Sequence, residues 1–189
     1  MLKKISLIFT MCFLLQGCFG AFVAGAAAGG VVAYEGRNYE QKTKDHQLEL
    51  DIQKQIYADP SLKNECRIVP VAYDGVVLMT GQTPSQALHD QAIQIAKSTS
   101  GAKRVYDEIA VSGQISALTQ SSDAWITTKI KSELLAAKGL DSSQIKVVTE
   151  NGVVYLLGIT TPKQAKIASG VARQSSGVRK VVTLFEYQQ

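Results

Sequence analysis

One cysteine near the N-terminus has the surroundings of an acylation site. Cys18 ends the sequence LQGC at 15–18, which follows a basic start, MLKK, and an apolar run. This order is typical of a lipoprotein signal peptide, which is cleaved before the cysteine once the thiol carries a diacylglyceryl group. The apolar run is shorter than the roughly 20 residues needed to cross a bilayer. The sequence therefore predicts a signal peptide over residues 1–17 and a lipid anchor on Cys18.

The segment after Cys18 is expected to connect the anchor to the folded part of the chain. Residues 20–36 are rich in Gly and Ala, and residues 37–47 are polar. Gly-rich chains lose much entropy on ordering, which favours a flexible tether over 18–47. The alternative is a helix on the membrane with Gly25 and Gly29 at a contact face. Phe19 at the sorting position is, by similarity to enterobacterial lipoproteins, typical of the outer membrane facing the periplasm.

Residues with catalytic or metal-binding chemistry are otherwise few. Cys12 leaves with the signal peptide and Cys18 is acylated, so Cys66 has no partner for an intramolecular disulfide. The two histidines, His46 and His89, stand in no nucleophile motif, and the sequence shows no phosphate loop and no metal-ligand spacing. We expect neither an enzyme nor a cofactor. The periplasmic location argues against a nucleic-acid partner.

The rest of the chain contains two copies of one pattern. The stretch YDGVVLMTGQTP at 73–84 returns as ENGVVYLLGITTP at 150–162. Likewise, IAKSTSGAKRV at 95–105 returns as VARQSSGVRKV at 171–181. We place the first copy at 48–112, a linker at 113–122 and the second copy at 123–189.

Turn and strand signals predict a hairpin in each copy. Asp74-Gly75 and Asn151-Gly152 favour type I′ turns, which need positive φ at both positions. Pro70 lacks a backbone N–H, so its strand is expected at a sheet edge or to contain a bulge.

Helix signals complete each copy as α-β-β-α-β. Thr83-Pro84 and Thr161-Pro162, each followed by Gln at the third helical position, predict helix starts with Thr as N-cap. Gly101 and Gly177 are predicted to close these helices. Leading helices are predicted at about 47–58 and 123–138. The predicted fold class is α+β, with a three-stranded mixed sheet packed against two helices in each copy.

Net charge distinguishes the copies. Residues 48–112 contain six Lys and Arg against eight Asp and Glu, and residues 123–189 contain nine against five, giving net charges of −2 and +4. A basic face near anionic lipid gains about 1 kcal/mol per Lys or Arg. An excess of this size is also common on ordinary solvated surfaces.

The chain's single tryptophan, Trp125, is predicted to point away from the core of the second copy. On a helical wheel it lies roughly 140° from the centre of the apolar stripe. An indole with Lys129 one turn later is typical of an interfacial membrane anchor. The alternative, a Trp that fills the seam between the copies, fits the periodicity equally well. The predicted buried stripe consists of Ile126, Ile130, Leu134 and Ala137.

These motifs resemble the BON domain, a bacterial module with a Gly-x-Val-x-Leu-x-Gly strand and a later Gly-Val-x-x-Val. The strand motif corresponds to residues 75–81 and 152–158, and the closing motif to 177–181, whereas Ala102 replaces the first Val of the closing motif in the first copy. A lipid-attachment cysteine followed by two such domains resembles outer-membrane lipoproteins of this family.

The resemblance implies that the second copy binds anionic phospholipid, such as phosphatidylglycerol or cardiolipin. It also implies a role in envelope integrity, location at division sites and a link to the outer-membrane protein assembly machinery. On the same helix, the hydroxyl groups of Thr127, Thr128 and Ser132 are expected to form hydrogen bonds with lipid headgroups. The rival hypothesis is an adaptor whose Trp125 docks onto another envelope protein. The candidate phospholipid-binding residues are Trp125, Thr128, Lys129, Lys131, Ser132 and Leu135.

Overall fold

The computed structural model describes residues 31–187, with side chains from residue 39 onward. The predicted signal peptide, Cys18, and the pair Gly25 and Gly29 lie outside the described residues. In chain order the first copy contains α1 (Val31–Ala58), α2 (Pro60–Glu65), β1 (Arg67–Tyr73), β2 (Val76–Thr83), α3 (Gln86–Ser98) and β3 (Arg104–Val111). The second contains α4 (Ala117–Ala136), a 3₁₀ turn (Ser142–Gln144), β4 (Ile145–Glu150), β5 (Val153–Thr160), α5 (Pro162–Gln174) and β6 (Lys180–Tyr187).

The predicted order of elements and the mixed sheets are confirmed. In each sheet the hairpin strands are antiparallel and the last strand joins the central strand in parallel, giving the orders β1-β2-β3 and β4-β5-β6. Asp74 and Asn151 have φ of 49° and 48°, as type I′ turns require. Pro70 lies in β1, an edge strand, as its missing N–H predicted.

The last glycine of the strand motif permits a close backbone approach. A Cβ on Gly81 would overlap the carbonyl of Arg67, and one on Gly158 would overlap that of Gln144. Their φ values of 123° and 157° are also rare for other residues. Both strands therefore need glycine at this position.

Several helix boundaries differ from the prediction. α1 begins at Val31, inside the segment predicted as a tether, and α4 begins at Ala117, inside the predicted linker. The first copy has an additional helix, α2, because Asp59 caps it with bonds from Ser61 N and Leu62 N and Pro60 suits its first turn.

Caps account for the remaining differences in the later helices. Thr161 is the N-cap of α5 as predicted, but Ser85 rather than Thr83 caps α3, since the Ser85 hydroxyl accepts from Leu88 N. The helices end at Ser98 and Gln174, three residues before the glycines predicted to close them.

The two copies bury the same pattern of apolar positions between their helices and sheets. The leading helices contribute Leu48, Ile52 and Ile56 in the first copy and Ile126, Ile130 and Leu134 in the second. The central strands contribute Val77 and Met79, or Val154 and Leu156. The third set, from α3 or α5, is Ala92 and Ala96, or Ala168 and Ala172. Alanine at these positions lets a helix lie close to the sheet.

The opposite faces of the two sheets pack against each other. Leu78 of the first copy is buried with Tyr155, Leu157 and Leu184 of the second. β2 is consequently buried on both faces over all eight residues. We call this contact the seam.

Charged and polar pairs surround the seam. Glu150 Oε1 accepts bonds from Arg67 Nη1 and Gln82 Nε2, both at 2.7 Å. Tyr155 donates to Glu108 Oε2 at 3.1 Å, and burial together with the Glu108 charge raises the pKa of this phenol. The neutral phenol therefore persists and keeps its hydrogen bond.

Candidate functional site

The candidate site lies on the exposed side of α4. This helix starts at Ala117 because the Ser116 hydroxyl accepts from Thr119 N at 3.1 Å, which satisfies a first-turn donor. The early start adds Leu118 to the helix, seven residues before Trp125 and hence on the same side.

The inner side of α4 fixes its orientation. Ile126, Ile130 and Leu134 are at most 2% exposed, as the wheel predicted, whereas Ala137 lies just past the helix and is half-buried. The buried carboxylate of Asp123 accepts from Asn151 N and Gly152 N at 2.7 and 2.8 Å. These contacts hold the helix against the sheet and the hairpin turn, so its other side must face outward.

The outward side carries three large apolar residues that do not contribute to a core. Leu118 is 82% exposed, Trp125 57% and Leu135 79%. Leu118 and Leu135 are 17 residues apart, which is roughly 25 Å along a helix. We call this stripe the α4 outer face; its members lie within an arc of roughly 100° and are Leu118, Ser121, Trp125, Thr128, Ser132 and Leu135.

The hydroxyl groups on the α4 outer face have their protons bonded within the helix. Ser121, Thr128 and Ser132 donate to the carbonyls four residues earlier, at 3.0, 2.9 and 3.1 Å. A hydroxyl with its donor satisfied costs less to remove from water than an unbonded one. The face is therefore better suited to an apolar or interfacial environment than its composition suggests.

Lys129 lies beside Trp125 at the edge of the face. Its Nζ is 5.2 Å from the centroid of the Trp125 ring and donates to Ser176 Oγ at 2.6 Å. Glu133 Oε1 is 3.8 Å away. Cation–π and hydroxyl contacts leave the ammonium charge in place, and the exposed pair with Glu133 offsets it only in part, so an indole and a cation are presented together.

The remaining predicted residues occupy different surroundings. Lys131 is exposed on the other flank of α4, where it lines a cleft of about 400 Å³ between the copies together with Tyr73 and Lys146. Thr127 was expected to meet headgroups, but its hydroxyl is directed inward and donates to Thr149 Oγ1 at 2.8 Å. Trp125 is exposed and does not belong to the seam cluster, so the hypothesis that it fills the seam is wrong.

Leu118 and Ser176 were not identified from the sequence. Leu118 lay in the predicted linker, although Ser116 as a cap and the seven-residue spacing to Trp125 were available signals. Ser176 is 47 residues from its partner Lys129, and sequence periodicity carries no information about such a contact.

The histidines and acidic residues of the described part of the chain are not arranged as metal ligands. Among the described residues, no group of three or more His, Cys, Asp or Glu side chains is arranged to hold a metal ion. His89 joins α3 to β3, with Nδ1 3.0 Å from Asp90 and Nε2 3.1 Å from Asp107. The hydrogen bond to Asp90 raises the pKa of the imidazole most, and the negative charge of Asp107 raises it further. Between residues 31 and 187, none of the helices has both the length and the hydropathy of a membrane-spanning segment.

Comparison with known proteins places the chain in a family. It is similar to the outer membrane lipoprotein DolP of Haemophilus influenzae, with 37% identity over 98% of this chain and 96% of the relative. It is also similar to a 21 kDa hemolysin of Actinobacillus pleuropneumoniae, with 39% identity over 81% and 79%. The osmotically-inducible protein Y of Escherichia coli is 33% identical over 56% and 54%.

The family model for the BON domain matches residues 44–113 and again residues 122–189. The two matches correspond to the two copies of the sequence repeat. This chain belongs to the BON domain family and contains two BON domains.

Proposed function

We propose that this protein is an outer-membrane lipoprotein whose second BON domain binds anionic phospholipid through the α4 outer face. The observation that carries the proposal is the exposure of Trp125 at 57%, between two exposed leucines and in contact with a lysine. A solvent-exposed apolar stripe of this length marks an interaction surface. Trp with a flanking cation is the combination that membrane interfaces select.

The proposed contact is shallow. The indole and the two leucines would enter the boundary between headgroups and acyl chains, with the helix lying along the surface. Lys129, together with Lys131 on the other flank, would meet phosphate groups at about 1 kcal/mol each. Of the two carboxylates of α4, Asp123 is buried, and Glu133, 3.8 Å from Lys129 Nζ, offsets part of the lysine charge but leaves Lys131 unaffected.

The anchor completes the proposed arrangement. Residues 1–17 would be removed, Cys18 acylated, the chain before Asp45 would connect the anchor to the first domain, and residues 113–116 would connect the two domains. The similarity to an outer membrane lipoprotein supports this location, and Phe19 supports orientation toward the periplasm. We extend the proposal to a role in envelope integrity, enrichment at division sites and a link to outer-membrane protein assembly.

Vesicle co-sedimentation tests the lipid contact. Residues 37–189 suit this assay, because they contain all the buried residues among 39–187, which lie between Asp45 and Leu184, and they exclude the site of lipid attachment. We expect binding to vesicles that contain phosphatidylglycerol or cardiolipin, weak binding to neutral vesicles, and roughly 30-fold weaker binding for Trp125→Ala, since burying a large apolar side chain contributes about 2 kcal/mol.

Circular dichroism and thermal unfolding must show that both proteins are equally folded. Folded wild-type protein that ignores anionic vesicles would contradict the lipid proposal and favour the adaptor hypothesis. Equal binding by the Trp125→Ala protein would move the contact away from α4.

A further inference from the structure

The turn between α5 and β6 lies directly against α4 beside Trp125. Ser176 in this turn accepts from Lys129 Nζ at 2.6 Å. Gly177 has φ of 89°, and a Cβ there would come within 3.0 Å of Ile126 Cδ1. The turn between α5 and β6 therefore forms a surface directly beside the α4 outer face.

Arg179 follows this turn and crosses the Asn151-Gly152 hairpin. Its backbone N donates to Gly152 O at 2.8 Å, and its Nη1 donates to Asn151 O and Oδ1 at 3.2 and 3.3 Å. The side chain lies over Gly152, where a Cβ would come within 2.8 Å of Arg179 Cδ. No carboxylate pairs with Arg179 among residues 39–187, so its charge is uncompensated and most guanidinium donors stay free.

The first domain has the same backbone but cancels this charge. Lys103 N donates to Gly75 O at 2.8 Å, and Lys103 Nζ pairs with Asp74 Oδ2 at 3.1 Å. Asn151 takes the place of Asp74 in the second domain, so the ion pair has no counterpart there. The carboxylate beneath each turn is common to both, since Asp45 accepts from the first hairpin as Asp123 does from the second.

A second position changes charge in the same direction. Asp45 and Asp123 occupy equivalent positions in the two domains, as do the buried residues Leu48 and Ile126. By the same spacing, Asp51 in the first domain is equivalent to Lys129 in the second. The three positions 51, 74 and 103 sum to −1 in the first domain. Their equivalents 129, 151 and 179 sum to +2 in the second.

We propose that Arg179 is a second cationic contact for the phosphate groups of anionic lipid, placed beside Trp125 and Lys129 by the α5–β6 turn. The inference rests on the proposed membrane contact of α4 and assigns a further part of that surface. A guanidinium suits this role because its planar donors bind phosphate oxygens in pairs. Asn151 is the residue that keeps Arg179 available, because Asp at that position would neutralise it.

The test restores the ion pair of the first domain in the second. In residues 37–189, Asn151→Asp adds a carboxylate beside Arg179 without changing any residue of α4, and the Asn151 N–H that binds Asp123 is kept. The turn tolerates it, since Asp74 occupies the equivalent position with φ of 49°. We expect about fivefold weaker binding to phosphatidylglycerol vesicles, which corresponds to one cation at about 1 kcal/mol, and a weaker dependence on salt.

Two further variants make the result specific. Arg179→Gln is expected to weaken binding about fivefold, and adding Asn151→Asp to it is expected to change nothing more, because the carboxylate then has no cation to neutralise. The matched control is Asp74→Asn in the first domain, with an expected change below about twofold.

The outcomes separate this inference from the proposed function. Unchanged binding by Asn151→Asp and Arg179→Gln, with binding lost in Trp125→Ala, would overturn the role of Arg179 and leave the α4 contact standing. Failure of the wild-type protein to bind phosphatidylglycerol vesicles would overturn both.

Discussion

Helices α1 and α4 occupy equivalent places in the two BON domains, but their exposed sides differ in chemistry. Buried residues recur at the same spacing on both helices. At the position of Trp125 the first domain has Gln47, whose amide donates to Asp51, the counterpart of Lys129, at 2.9 Å. An indole beside a cation in one domain thus corresponds to an amide beside an anion in the other.

The difference extends to the N-terminal part of the exposed side but not to its C-terminal end, where Leu135 corresponds to the exposed Tyr57. Leu118 corresponds to Glu40, which pairs with Lys44 at 2.7 Å, and Ser132 corresponds to Lys54. Large apolar side chains are also exposed on α1, at Tyr39, Leu50 and Tyr57. The comparison shows that equivalent core residues position both helices while the exposed residues of the two helices differ.

Exchanging the surface residues should remove the difference between the domains. We expect Trp125→Gln combined with Lys129→Asp to weaken binding to anionic vesicles by more than roughly 100-fold, because indole insertion contributes about 2 kcal/mol and the lysine about 1 kcal/mol. Co-sedimentation of residues 37–189 measures the effect. The control, Gln47→Ala combined with Asp51→Ala, should bind within about twofold of wild type. Comparable losses in both proteins would show that the two helices contribute equally.

Leu118 offers a finer test of how far the surface extends. We expect Leu118→Ser to weaken vesicle binding about fivefold, since partial burial of a leucine contributes about 1 kcal/mol. Leu50→Ser on α1 is the matched control and should have little effect. If Leu118→Ser binds as tightly as wild type while Trp125→Ala does not, the membrane contact includes Trp125 but does not reach the first turn of α4.

His89 provides a comparison of the two domains by their stability to unfolding, and not by their binding to membranes. Its counterpart in the second domain is Ala165, so only the first domain carries a titrating group here. The raised pKa means that the folded state holds the proton more tightly than the unfolded state. The stabilisation is therefore complete below the unfolded pKa of about 6.5 and is lost as pH rises through the higher folded value.

We expect His89→Gln to lower the free energy of unfolding by less than about 1 kcal/mol at pH 5.5, and by still less at pH 8.5. Urea unfolding at both pH values measures the change, and an NMR titration of the imidazole gives the folded pKa. An equal effect of the substitution at both pH values would contradict the assignment.

Local signals in the sequence predicted most of the fold. The repeat, the two Asx-Gly turns and the apolar spacing of 126, 130 and 134 gave the element order and the outward direction of Trp125. The predicted helix starts were wrong where the start depends on which side chain forms the N-cap, as with Ser116 for α4 and Ser85 for α3. Ser and Thr occur in every nearby linker, so their identity alone does not show which one caps.

Contacts between distant segments were beyond prediction. The pairing of Lys129 with Ser176 and the position of Arg179 over the hairpin depend on how α5 and β6 return to α4. The seam likewise requires both sheets, because the outward residues of β2 are buried only when the second domain covers them.

The fluorescence of Trp125 tests the membrane contact most directly, because it is the only tryptophan in the chain. With residues 37–189 we expect phosphatidylglycerol vesicles, but not phosphatidylcholine vesicles, to shift its emission to shorter wavelength. Lipids brominated near the glycerol end of the acyl chain should quench it more strongly than lipids brominated near the methyl end, as a shallow contact requires. Sedimentation with anionic vesicles without any shift or quenching would show that the protein binds membranes through another surface.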